Sequence, residues 1–125
     1  MSVNKIMLIG RLVKDPETKS IGDNFVTNFT IVTNEKYKNK SGELIEESEF
    51  HDCVLWGPRG QALSKYKKKG EELYVEGSIK TRTWEHEGQK KYKTEVKVFN
   101  YIFIGSSKQN QNQSNGMPID DDLPF

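Results

Sequence analysis

Residues 24–33 read "NFVTNFTIVT". Phe25, Thr27, Phe29, Ile31 and Thr33 fall on one parity, with Asn28 and Thr30 on the other. That is the period-two pattern of a strand with one buried face. Similar alternation occupies residues 3–12, 49–56, 73–84 and 92–104, so five strands are expected. Between the third and fourth lies "GPRGQALSKYKKKG" (57–70), where Pro58 suits a first helical turn and Ala62, Leu63 and Tyr66 share a helical face. Lys67, Lys68 and Lys69 followed by Gly70 resemble a cationic last turn and a stop, so one short helix is expected there.

Five strands with a single helix between the third and fourth is the element order of the OB-fold, a Greek-key barrel that binds oligonucleotides on one face. Other small barrels share features of this order. Two connections, "EKYKNKSGELIEE" (35–47) and "EHEGQKK" (85–91), are polar and carry one glycine each, as flexible hairpin fingers would.

A chain of 125 residues is one domain's worth plus a tail. The expected division is a barrel over 1–105, a Gln/Asn-rich linker "SSKQNQNQSNGMP" over 106–118, and an acidic peptide "IDDDLPF" over 119–125. Residues 1–105 hold 18 Lys+Arg against 15 Asp+Glu, and the remainder holds one lysine against three aspartates. A mildly basic body and an acidic tail suggest a domain that meets an anion and a tail that meets a basic protein surface. No run of about 18 apolar residues provides a membrane span, and the amino terminus is wrongly flanked for a signal peptide, so a cytoplasmic location is expected. The single cysteine, Cys53, excludes an internal disulfide framework and reads as a buried thiol.

Strand parity sorts the side chains that could carry chemistry. In "EFHDCVLWG" Phe50, Asp52, Val54 and Trp56 share one face, opposite His51, Cys53 and Leu55. In "YVEGSIKTRTWE" Lys80, Arg82 and Trp84 oppose Val75, Ile79 and Thr81. Tyr37 adds an aromatic to a lysine-rich finger. Aromatics interleaved with cations suit sequence-tolerant single-strand binding, because every base has a π-face and cations track phosphates. The competing reading makes Phe50, Trp56 and Trp84 core residues and packs Tyr37 under its own hairpin.

Catalytic patterns are thin. His51 and His86 are the only histidines, and Glu85, His86 and Glu87 sit in an expected turn without further ligands. Asp120, Asp121 and Asp122 could gather a divalent cation, but such a run does not impose octahedral geometry. A binding protein without cofactor or metal is expected, with an OB-type RNA module or a small nuclease as alternatives.

The stretches "VNKIMLIGRLVKDPE" (3–17), "SEFHDCVLWG" (48–57), "YKKKGEELYVEGSIKTRTW" (66–84) and "IDDDLPF" together resemble the bacterial single-stranded DNA-binding protein family. The resemblance implies an OB-fold homotetramer, cytoplasmic and nucleoid-associated, that protects single-stranded DNA. It also implies tails that recruit replication, recombination and repair proteins. Position by position, it assigns the stacking aromatics to Tyr37, Phe50, Trp56 and Trp84, and phosphate contacts to Lys80 and Arg82. It places His51 near a subunit interface. Members often have tryptophan where this chain has Tyr37 and Phe50, phenylalanine at Trp56, and a basic residue at Asp52. In the tail, the Phe125 ring with its carboxylate would enter a partner pocket. Asp120, Asp121 and Asp122 would steer it to basic surface, and Leu123 and Pro124 would flank the ring.

Overall fold

The structure is a computed structural model and describes residues 1–105; the linker and the acidic peptide lie outside the described residues. Its strands are β1 (Ile6–Leu12), β2 (Glu17–Ile21), β3 (Asn24–Lys38), β4 (Leu44–Trp56), β5 (Glu72–His86) and β6 (Gln89–Phe103). The helix, α1 (Pro58–Tyr66), lies between β4 and β5. The sheet order β1-β5-β6-β4-β3-β2 is closed by pairing of β1 with β3, which leaves a barrel. All neighbours are antiparallel except β4 and β6, which run parallel through Cys53↔Val96 and Val54↔Lys97.

β1 and β2 form one barrel strand in two pieces, because both pair with β3. Leu12 lies opposite Ile31, and Glu17 opposite Asn28. The intervening "VKDP" bulges outward; Val13 N–H still donates to Thr30 O at 2.9 Å, and Asp15 Oδ1 accepts from Lys69 N–H at 2.8 Å. The five-strand expectation holds for the barrel. The first strand, expected to end at Leu12, resumes at Glu17, because Pro16, which has no N–H to donate, interrupts the ladder only locally.

The fingers are longer strands than alternation predicts. β3 and β4 stay paired out to Lys38↔Leu44, and β5 and β6 to His86↔Gln89. Backbone pairing satisfies the ribbon's N–H and C=O groups, whereas exposure of both ribbon faces erases the apolar period that marks a strand in sequence. Each tip has its own turn chemistry. Asn39 Oδ1 accepts from the N–H groups of Ser41 and Glu43, both at 2.9 Å. At the other tip, Glu87 and Gly88 take φ of 54° and 78°, the left-handed pair that a two-residue hairpin requires.

Leu12, Phe29, Ile31, Leu73 and Val75 fill the barrel, each at most 2% exposed, and Leu63 of α1 plugs its end. Gly60 lets the helix approach: a Cβ there would lie 2.1 Å from Thr27 Oγ1. The helix stops at Tyr66, one residue before the lysine run. Lys68 Nζ donates to Ser64 O at 3.1 Å, as a C-terminal cation should. Lys67 instead turns inward, donating to Ile104 O at 3.3 Å and lying 5.3 Å from the centre of the Phe103 ring. Cys53 is buried, and desolvation first, then the Asp52 and Glu95 charges, pushes its thiol pKa up to about 12. No helix among the described residues is long and apolar enough to cross a membrane.

Candidate nucleic-acid interface

Register carries the outward face of β4 across the barrel wall. Val26 lies opposite Trp56, Asn28 opposite Val54, and Thr30 opposite Asp52. On the other side, Lys80, Arg82 and Trp84 of β5 lie opposite Glu95, Lys93 and Lys91 of β6. Because residues directly opposite in an antiparallel ladder point to the same side, these residues share one surface. Two shallow grooves cross it and share Asn28, Arg82 and Glu95. One is bordered by Trp56, Lys80, Lys97, Lys19 and Ile21, the other by Asp52, Lys93 and Lys14.

The aromatics expected here are not core. Phe50 is 62% exposed, Trp56 47%, Tyr37 46% and Trp84 41%, although alternation alone left burial of each open. The structure brings Trp56, Lys80 and Arg82 to one groove and sets Trp84 beside Arg82, whose guanidinium carbon lies 5.3 Å from the ring centre. Phe50 flanks this group on the same face of β4, six residues before Trp56, or about 20 Å along an extended strand. Tyr37 stands apart. It pairs with Ile45, so it occupies the face of the β3–β4 ribbon opposite Phe50. There the neighbouring Glu47 carboxylate raises its phenol pKa above the ordinary value.

The groove floor is an alternating charge network. Arg82 Nε donates to Glu95 Oε1 at 2.8 Å, and Lys93 Nζ lies 3.8 Å from Glu95 and 3.4 Å from Asp52. Asp52 Oδ1 also accepts from Thr30 Oγ1 at 2.8 Å. Asp52 therefore does not present a bare negative charge to the groove. His51 Nε2 lies 2.9 Å from Thr33 Oγ1 on the other side of the strand.

Sequence reasoning overlooked Lys19 and Ile21, because β2 was not expected. It also passed over Lys93, Glu95 and Lys97, which alternate in "KTEVKVF" and could have been noticed as a polar stripe. Nothing local announces that β6 lies parallel to β4, which is what makes that stripe the groove floor. The stripe ends at a bulge: register shifts between Glu76 and Gly77, leaving Phe99 between Val98 and Asn100 without an opposite residue. Gly77 is required there, since a Cβ would lie 2.3 Å from Lys97 O.

Comparison with known proteins agrees with the fold. The sequence pattern of the single-strand binding protein family matches residues 3–104. The chain is 41% identical over 107 residues to the single-stranded DNA-binding protein 1 of Chlorobaculum tepidum, covering 83% of this chain but only 66% of that protein's length. The structure of Plasmodium falciparum SSB in complex with ssDNA superposes with a TM-score of 0.77 at 34% identity, over 84% of this chain and 97% of that one. A deletion mutant of the single-stranded DNA binding protein from Thermus aquaticus shares the fold, with a TM-score of 0.73 at 24% identity over 82% of this chain and 51% of that one.

Proposed function

Since this chain belongs to the single-strand binding protein family, we propose that it binds single-stranded DNA without strong sequence preference along the outward faces of β4, β5 and β6. The observation that carries the reading is the exposure of Trp56 and Trp84 on one surface with Lys80 and Arg82. A barrel whose interior is already filled by Leu12, Phe29, Ile31, Leu73 and Val75 has no packing need of the two indoles on its outer surface. Unstacked bases offer π-faces to Trp56, Trp84 and Phe50, and Lys80 meets the backbone. Tyr37, on the other ribbon face, extends the path around the finger. The activity is binding, with no bond made or broken.

Intrinsic tryptophan fluorescence tests this directly. Poly-dT is expected to quench both indoles at low salt and to be released as salt rises, with duplex DNA binding far more weakly and poly-U serving as the RNA control. Equal affinity for duplex and single strand would refute the reading, and a preference for poly-U would transfer it to RNA.

Assembly and recruitment complete the proposal. Ile9, Tyr74 and Ile102 lie side by side across β1, β5 and β6, and Ile9 and Ile102 are 52% and 51% exposed. Such an apolar row supports association of barrels into a homotetramer; light scattering at one chain mass at all concentrations would exclude it. Residues 1–105 are the DNA-binding domain, 106–118 the linker and 119–125 the peptide that recruits replication, recombination and repair proteins. Removing Phe125 is expected to leave poly-dT affinity nearly unchanged while emptying a pull-down of those proteins; an unchanged set of captured proteins would refute the docking role.

A further inference from the structure

We propose that Glu95 is a positioning residue that fixes Arg82 into a stacking platform with Trp84, so that Arg82 meets a base with its guanidinium plane rather than a phosphate with its charge. This rests on the single-strand binding reading and deepens it.

Three observations carry it. Glu95 is only 7% exposed, and it holds Arg82 at two points, through Nε at 2.8 Å and Nη2 at 3.4 Å. A guanidinium tied along one edge loses rotation about its own stem and keeps its flat faces open. Those faces lie beside the indole, within the roughly 6 Å over which a cation and a ring attract, and both the Arg82 side chain and Trp84 remain substantially exposed. Finally, Arg82, Lys93, Glu95 and Asp52 form a chain of two cations and two anions, so the platform's formal charge is already balanced. Lys80 lies on the same face, is exposed, and makes no ion pair among the described residues.

Because each phosphate contact on a single strand steepens the dependence of log K on log salt by about 0.7, charge and plane can be separated. Poly-dT affinity is measured across salt for the intact protein, Lys80→Gln, the neutral swap Arg82→Gln with Glu95→Gln, Glu95→Gln alone, and Arg82→Lys. Lys80→Gln is expected to flatten the slope by about 0.7. The neutral swap is expected to weaken binding about tenfold at fixed salt with the slope unchanged, the loss coming from stacking. Glu95→Gln alone, which releases a cation from its partner, is expected to steepen the slope. Arg82→Lys keeps both the charge and an ion pair, and so the fold, yet is expected to bind several-fold more weakly. A neutral swap that flattens the slope as much as Lys80→Gln makes Arg82 a phosphate contact and overturns the inference. So does Arg82→Lys binding like the intact protein, or a Glu95→Gln slope that stays unchanged. An intact protein that ignores poly-dT refutes the parent reading instead, and this one with it.

Discussion

On the inward face of β4, Cys53 and Leu55 are 2% and 3% exposed, whereas Phe50 and Trp56 on its outward face are 62% and 47% exposed. The larger, more apolar side chains are the ones left in water. Burying a large side chain stabilises a fold by roughly 1.5–3 kcal/mol, so this inversion forgoes stability on one face that the other has already secured. The inward face specifies the barrel. On the function proposed above, the outward face is the one a single strand would cover.

Replacing side chains on each face in turn shows how separate the two functions are. The largest effect belongs inside: Phe29→Ala should cost about 3–5 kcal/mol of unfolding free energy in urea, while the fraction that remains folded keeps its affinity for poly-dT. Trp84→Ala should do the reverse, weakening poly-dT binding by roughly 1–3 kcal/mol in a fluorescence or anisotropy titration with the urea midpoint little moved. If Trp84→Ala unfolds the protein instead, the outward face is part of the core and the comparison fails. A gentler probe of the inner face is Cys53. With its thiol pushed up to about 12, it should resist a thiol-specific chromogenic reagent at pH 8 until the barrel is unfolded.

The smallest expected effect lies on the outward face of β5, where polar contacts add a little stability of their own. Glu76 accepts a hydrogen bond from Asn100 Nδ2 at 2.9 Å and lies 3.3 Å from Lys5 Nζ; these contacts, with Tyr74, hold its carboxyl below the ordinary range. A carboxyl lowered by folding contributes its stability above the unfolded value, near 4.3, and loses it as pH falls through the lower folded value. Glu76→Gln should therefore lower Tm slightly at pH 7, and the difference from the intact protein should shrink on acidification. A difference that grows below pH 4 would reverse that assignment.

Alternation in "NFVTNFTIVT" and "EFHDCVLWG" was enough to separate the two faces, because a strand's side chains alternate whatever its neighbours are. The same rule carried Lys80, Arg82 and Trp84 to one side of β5, and the position of "GPRGQALSKY" placed the helix. The balance of charge between body and tail, and the aromatic and acidic character of residues 119–125, are likewise properties of the sequence. Which side of each alternating strand faces the core, how far the polar ribbons extend, and where β2 joins depend on pairing. The first takes its partners from residues distant in the chain, whereas the ribbons and β2 pair across short hairpins whose polar faces leave no apolar period to read. Parallel pairing of β4 with β6 puts Lys93 beside Asp52, antiparallel pairing of β5 with β6 puts Glu95 beneath Arg82, and strict register sends Tyr37 to the ribbon face away from Phe50. A one-residue slip would exchange those faces, and local sequence does not record the register across a barrel. Tertiary closure therefore decided which of the outward cations are paired with a carboxylate and which, like Lys80, have no ion-pair partner among the described residues.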